Sequence, residues 1–258
     1  MTRLPSFNSS QRLRQMHNVL SEAYGPQHWW PARTRFEVIV GAYLTQNTAW
    51  KAVERSLANL RAAGTLSLAR MRSIPAKELQ ELIRPSGFQT RKAPALKAFI
   101  TFLDAEFHGS LDAMAAAQTE PLRARLLALP SVGFETADAI LLYAFGHAVP
   151  VADEYLRRIA ERHRLLSPAP ARNPSGYQSL VQLTTAAFAS DPESARPLLY
   201  NEFHALTVAV GKAHCSRVAN CAGCPLADDL LFTGEGKRRY VLQNDSSLVS
   251  ASACQSKH

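Results

Sequence analysis

Leu129-Pro-Ser-Val-Gly-Phe-Glu-Thr-Ala137 leads into an apolar run of helical spacing, and Asp153 follows twenty positions after Gly133. A glycine-centred turn between two helices can aim backbone N–H groups at a phosphate. Glycine accepts positive φ, and the helix that follows opens on amides with no acceptor inside the helix. Gly133 is therefore expected to make the left-handed turn, with the amides of Val132, Gly133 and Phe134 on the anion. A carboxylate one helix later lies near whatever the phosphate anchors. Asp153 also suits a helix N-cap, because Leu156, Ile159 and Leu165 continue an amphipathic pattern beyond it. The two roles are compatible, since the helix dipole and backbone N–H bonds favour the ionised form. Pro-Ser-Val-Gly alone also describes an ordinary connection in a helical bundle.

Helices must position these groups, and strand signals are scarce. Apolar residues recur at helical spacing, as in Ala137, Ile140, Leu141, Ala144 and Phe145, so the expected fold class is all-α. The spacing predicts helices over 10–24, 35–45, 49–63, 76–83, 89–107, 121–128, 136–145, 154–163, 177–188 and 197–211. Pro121 suits a first helical turn and Pro130 stops that helix. Residues 167–176 form the longest expected loop, because Pro168, Pro170, Pro174 and Gly176 interrupt a helix. Periodicity is lost from Gly234 onward, and 244–258 reads as a poorly ordered tail.

With 258 residues, 47% of them hydrophobic, the chain can bury a substantial core. Its 29 Lys and Arg outnumber 21 Asp and Glu, giving a net charge of +8. That excess fits a polyanionic partner, and it also fits plain solubility. No stretch is long and apolar enough to span a bilayer, and Met1 to Ser10 lacks the apolar core of a signal peptide, so a cytoplasmic location without membrane partners is expected. Cys215, Cys221, Cys224 and Cys254 lie in the last fifth of the chain, which suggests a local site more than a disulfide framework.

The longer run from Leu129 to Gly146, followed by Val149-Pro-Val-Ala-Asp153 and Arg157-Arg158, resembles the helix-hairpin-helix and Gly/Pro-Asp region of the endonuclease III superfamily of DNA glycosylases. Tyr24-Gly-Pro-Gln-His-Trp-Trp-Pro31, Thr45-Gln-Asn-Thr48 and Arg84-Pro-Ser-Gly-Phe88 resemble the branch that includes the 3-methyladenine DNA glycosylase III group. The likeness runs from Tyr24 to Leu226. It implies two helical lobes with a DNA-binding cleft between them: 31–149, with the helix-hairpin-helix at 121–145, and 1–30 plus 150–233. A disordered tail, 234–258, remains. The implied partner is double-stranded DNA with a damaged base, bound by a monomer associated with the nucleoid. Val132, Gly133 and Phe134 would grip phosphate beside the lesion, and Gln46 would fill the gap left in the stack. The target nucleotide must leave the duplex because its glycosidic bond is otherwise inaccessible, and a wedge offsets part of the unstacking energy.

Bifunctional members of this superfamily place a lysine two residues after the second hairpin glycine, where this chain has Glu135. A carboxylate forms no imine, so lyase activity is expected to be absent or weak. Hydrolysis by water remains, with Asp153 stabilising an oxocarbenium-like sugar and orienting or deprotonating the water. Trp29, Trp30 and Trp50 match the base pocket of the 3-methyladenine branch. Their faces would attract a positively charged alkylpurine by roughly 0.5 to 2 kcal/mol over a neutral base. Such a base departs neutral and needs little acid catalysis. Lys212, in Val210-Gly-Lys-Ala-His-Cys215, matches a pocket-lining lysine, with Tyr43 and His28 as further lining candidates.

Cys215-x5-Cys221-x2-Cys224 resembles the iron-sulfur loop of endonuclease III proteins, without the fourth cysteine around 228–232. A four-iron cluster takes four thiolates, so no cofactor is expected. The alternatives are an iron-sulfur cluster with an atypical fourth ligand, such as Cys254, or a zinc completed by His214. The expected function is a monofunctional DNA glycosylase of base excision repair acting on alkylated purines such as 3-methyladenine. One alternative is an endonuclease III-like glycosylase and AP lyase for oxidised pyrimidines or mismatched bases. The other is a non-catalytic DNA-structure binding protein, against which the retained Asp153 argues.

Overall fold

The computed structural model describes residues 7–233. The tail expected at 234–258, with Cys254, lies outside the described residues. Within them the chain forms twelve α-helices and no strand: α1 Ser9–Tyr24, α2 Arg35–Leu44, α3 Trp50–Ala62, α4 Leu68–Ser73, α5 Ala76–Leu82, α6 Gln89–Phe107, α7 Leu111–Ala115, α8 Thr119–Leu127, α9 Phe134–Ala139, α10 Glu154–Arg162, α11 Pro174–Ala187 and α12 Arg196–Ala213. Side-chain caps start many of them. Asn8 and Gln11 form a capping box on α1, and Thr34, Ser67, Ser110, Asp153 and Asn173 each accept a backbone N–H at a helix start.

The helices depart from the periodic pattern at three places. Helices α4 and α7 span six and five residues, too short to display a period, and are announced only by their capping serines. Helix α11 begins at Pro174, inside the expected loop, because proline at a first helical position lacks only an N–H that has no helical acceptor anyway. Beyond α9 the helix widens into a π turn, Ile140–Ala144.

The chain divides into two compact units. One comprises His28–Val151 and Pro192–Asn201. Its axis is α2, whose Phe36 to Leu44 are all buried, as an apolar-all-round helix requires. Helices α3, α6, α9 and the π turn pack against it. Leu96, Phe99, Ile100 and Leu103 of α6 are buried too. Glu37, buried in α2, is neutralised by Arg61 of α3 and accepts the Arg33 N–H at 3.3 Å.

The other unit comprises 7–27, 152–191 and 202–233 among the described residues. Helix α1 lies along α11, with Leu13, Met16 and Leu20 on one and Leu180, Leu183 and Ala187 on the other buried. His17 stands edge-on to Phe188 at 5.2 Å, and burial lowers its pKa. Asp229 accepts both Arg12 Nε (3.0 Å) and Nη2 (2.6 Å) and faces His163 Nδ1 at 2.8 Å. These contacts fasten the segment after the cysteine loop to α1 and to the residue that ends α10.

Candidate active site

Residues 128–133 join α8 to α9, and the left-handed residue among them is Ser131, at φ 63°. Gly133 is extended, at φ −101° and ψ 178°, and feeds directly into the first turn of α9. This corrects the expectation that Gly133 makes the left-handed turn. The chain reverses earlier, where Gln46 Nε2 donates to the Ser131 carbonyl at 2.8 Å and to Thr136 Oγ1 at 3.0 Å. Glycine at 133 leaves open space instead: a Cβ there would meet no protein atom within 4 Å. The Val132 amide, expected on the anion, donates to the Leu129 carbonyl at 3.2 Å, and its side chain is buried. The phosphate-facing candidates narrow to Gly133 and the start of α9 at Phe134.

A buried ion pair holds the two hairpin helices together. Arg123 of α8 donates to both oxygens of Asp138 on α9, at 2.6 and 2.8 Å, and Asp138 is fully buried. The same guanidinium lies 5.1 Å from the centre of the Phe134 ring.

In this unit the three tryptophans come together. Trp29 and Trp30 lie 5.6 Å apart between ring centres, Trp29 and Trp50 5.6 Å, and Trp30 and Trp50 5.4 Å. Tyr143, which sequence reasoning missed, completes the cluster 5.2 Å from Trp30. Tyr143 is half-buried, whereas Ile140, Leu141, Leu142 and Ala144 around it are buried. It stands in the π turn, whose wider winding shifts the phase of the side chains that follow. Trp30 rests on Gly41 of α2, where a Cβ would come within 3.1 Å of the indole. Trp50 Nε1 donates to Glu54 Oε1 at 2.8 Å, leaving a carboxylate beside the ring. Tyr43 belongs to the core: it is fully buried, its ring is 6.1 Å from Phe99, and burial raises its phenol pKa far above the ordinary range. His28 is exposed.

Phe88, the last residue of the Arg84–Phe88 motif, is 56% exposed and left-handed, at φ 49°, where α6 begins. Its loop meets the Gln46 loop through Thr48, whose Oγ1 lies 3.0 Å from the Gln46 carbonyl and 2.7 Å from the Ser86 carbonyl.

Asp153 belongs to the other unit, where it is buried and caps α10. Its Oδ1 accepts the Leu156 amide at 2.8 Å, and its Oδ2 lies 3.7 Å from His204 Nε2. His204 was not foreseen; its signal is a seven-residue spacing from Gly211, two turns along one face of α12. At Gly211 a Cβ would fall 2.2 Å from the Tyr155 ring, so glycine is needed for the approach of that residue in α10. Glu154 accepts from Arg157 and Arg158 and from Arg172, and these partners, Arg157 first, lower its carboxyl pKa. Arg157 and Arg158 therefore serve the protein itself. Lys212 is exposed in the last turn of α12.

The cysteine loop is held by side chains of α10. Arg162 Nη1 lies 2.9 Å from Cys215 Sγ, and Nη2 donates to the carbonyls of Ser216 and Arg217 at 2.8 and 3.0 Å. His214 Nδ1 lies 3.1 Å from the Asn220 carbonyl. Among the described residues no group of three or more His, Cys, Asp or Glu is placed to hold a metal ion. The three thiols among the described residues, one of them against a guanidinium, fall one short of the four thiolates that a four-iron cluster takes.

Comparison with known proteins bears on the family and the fold. Residues 40–176 match the HhH-GPD superfamily base excision DNA repair protein family. The "Putative DNA repair glycosylase MJ1434" of Methanocaldococcus jannaschii is 37% identical over 223 residues, 86% of this chain and 96% of its own. The thymine-DNA glycosylase of Aeropyrum pernix is 25% identical over 86% of this chain and 92% of its own. Among solved structures, H. pylori 3-methyladenine DNA glycosylase (MagIII) bound to 1,N6-ethenoadenine superposes with a TM-score of 0.67 at 28% identity, over 80% of this chain and 98% of that one. On the family match and the helical fold, the chain is a DNA glycosylase of base excision repair belonging to the HhH-GPD superfamily.

Proposed function

We propose that the protein is a monofunctional glycosylase that hydrolyses the N-glycosidic bond of alkylated purines, such as 3-methyladenine, in double-stranded DNA. The observation that carries this reading is the cluster of Trp29, Trp30, Trp50 and Tyr143, with the Glu54 carboxylate bonded to Trp50. Aromatic faces beside a negative charge favour a cationic alkylpurine over the neutral parent base. The likeness to the H. pylori enzyme supports the same class of substrate.

In this reading a water adds to C1′, the bonding electron pair leaves with the base, and the base departs neutral. Asp153 faces the developing sugar cation and takes or relays the proton lost by the water. Gly133 and Phe134 hold phosphate, and Gln46 and Phe88 fill the opened stack. Glu135 supplies no amine, so no Schiff base forms. The protein acts as a monomer, and the cysteine loop works without metal, held by Arg162. The expected elemental analysis is below one tenth of an iron or zinc atom per chain, as an order-of-magnitude bound on a four-iron or single-zinc site. A brown protein with stoichiometric iron would sink the metal-free reading.

The direct test is incubation with heavily methylated duplex DNA and chromatography of the released bases, with and without borohydride. Release of free alkylpurines without a trapped protein-DNA adduct is expected. A second reading, removal of mismatched thymine, draws on the likeness to the A. pernix enzyme. Thymine released from a G·T pair, with alkylpurines untouched, would replace the first reading by the second.

A further inference from the structure

Lys92 of α6 is only 2% exposed, although its ammonium is among the costliest groups to take out of water. It donates at 2.8 Å to the carbonyl of Leu44, at 2.7 Å to Thr48 Oγ1 and at 2.9 Å to the carbonyl of Ser86. Leu44 ends α2, where the helix dipole favours a cation. Thr48 belongs to the loop that carries Gln46 and leads into Trp50. Ser86 belongs to the turn before Phe88, whose ring centre is 5.8 Å from the ammonium. All three protons of the ammonium are thus spent on the end of one helix and two irregular loops. Burial also pulls the Lys92 pKa down to about 8. A buried apolar residue could fill the volume more cheaply but could not fix two loops at a set separation.

We propose that Lys92 is a positioning residue that sets the spacing between Gln46 and Phe88, and that this spacing governs how the protein opens duplex DNA at its target. The inference rests on the glycosylase reading for its substrate, but the opening step can be measured without base release. The probe is a duplex with 2-aminopurine beside a tetrahydrofuran abasic analogue, whose fluorescence rises on unstacking. The variants are Lys92→Met, Lys92→Arg, which keeps the charge, and Thr48→Val, which removes one anchor.

Lys92→Met is expected to weaken the fluorescence response roughly tenfold or more, on the scale of the unstacking energy that the wedge offsets. Its excision of an alkylated base from single-stranded DNA, which needs no opening, stays near wild type. Lys92→Arg restores much of the response, and Thr48→Val gives an intermediate loss. An equal loss on single- and double-stranded substrates, as general destabilisation gives, would overturn the proposal. So would an unchanged fluorescence response. If Lys92→Met does not fold, Thr48→Val carries the same test. If the wild type releases no alkylpurine while fluorescence still follows Lys92, the substrate reading fails and the positioning role stands.

Discussion

Asp153→Asn is expected to slow base release by about a hundredfold to a thousandfold, the scale of losing one group aimed at developing charge, with lesion DNA still bound. Asparagine serves as well as aspartate at an N-cap, so its side chain still accepts the Leu156 amide and α10 stays started. The substitution removes charge and little else. Asp153→Ala removes the cap too and adds a stability loss of about 1 kcal/mol. His204→Leu takes the imidazole from Oδ2 and is expected to lower kcat by roughly tenfold with KM unchanged, the signature of a group felt only as charge develops. Single-turnover excision alongside equilibrium binding to uncleaved DNA separates the steps. Asp153→Asn with wild-type turnover would remove Asp153 from the chemistry.

Arg123→Met is expected to destabilise the fold by about 3 to 5 kcal/mol, because it leaves the Asp138 carboxylate buried without its guanidinium. In a chain of this size that corresponds to a fall in Tm of roughly 10 °C. Pairing it with Asp138→Leu, which removes the buried carboxylate, should recover much of the loss. Calorimetry of the two single variants and the double variant closes the cycle. A single variant that melts with wild type would show that packing of α8 on α9, and not the ion pair, holds the hairpin.

The parts of the molecule legible in the sequence are those whose physics is local. Helix α6 was expected over the residues it occupies, and α1 and α10 within a residue at either end, because apolar spacing and caps act over four or five neighbours. The N-cap role of Asp153 followed from the same reasoning. What escaped depended on distant partners. Ser131 gave no signal for positive φ, since the bond on its carbonyl comes from Gln46, 85 residues away. Tyr143 lay in a run whose period argued for core, and a π turn sets it apart. Lys92 looked like any lysine in a helix, because its acceptors are contributed by two loops and the end of α2. His204 is separated from Asp153 by two helices.

If the aromatic cluster receives the damaged base, as proposed, the seating of Trp30 limits how lesion preference can drift. Gly41 has no side chain and a Cβ there would fall 3.1 Å from the indole, so that side of the slot cannot deepen by trimming a side chain. A methyl group at 41 would push the ring outward and make the slot shallower for every base alike. On that proposal, discrimination between thin and bulky adducts is adjusted at Trp29, Trp50 and Tyr143, where side chains remain to be exchanged, while position 41 sets a depth common to all of them.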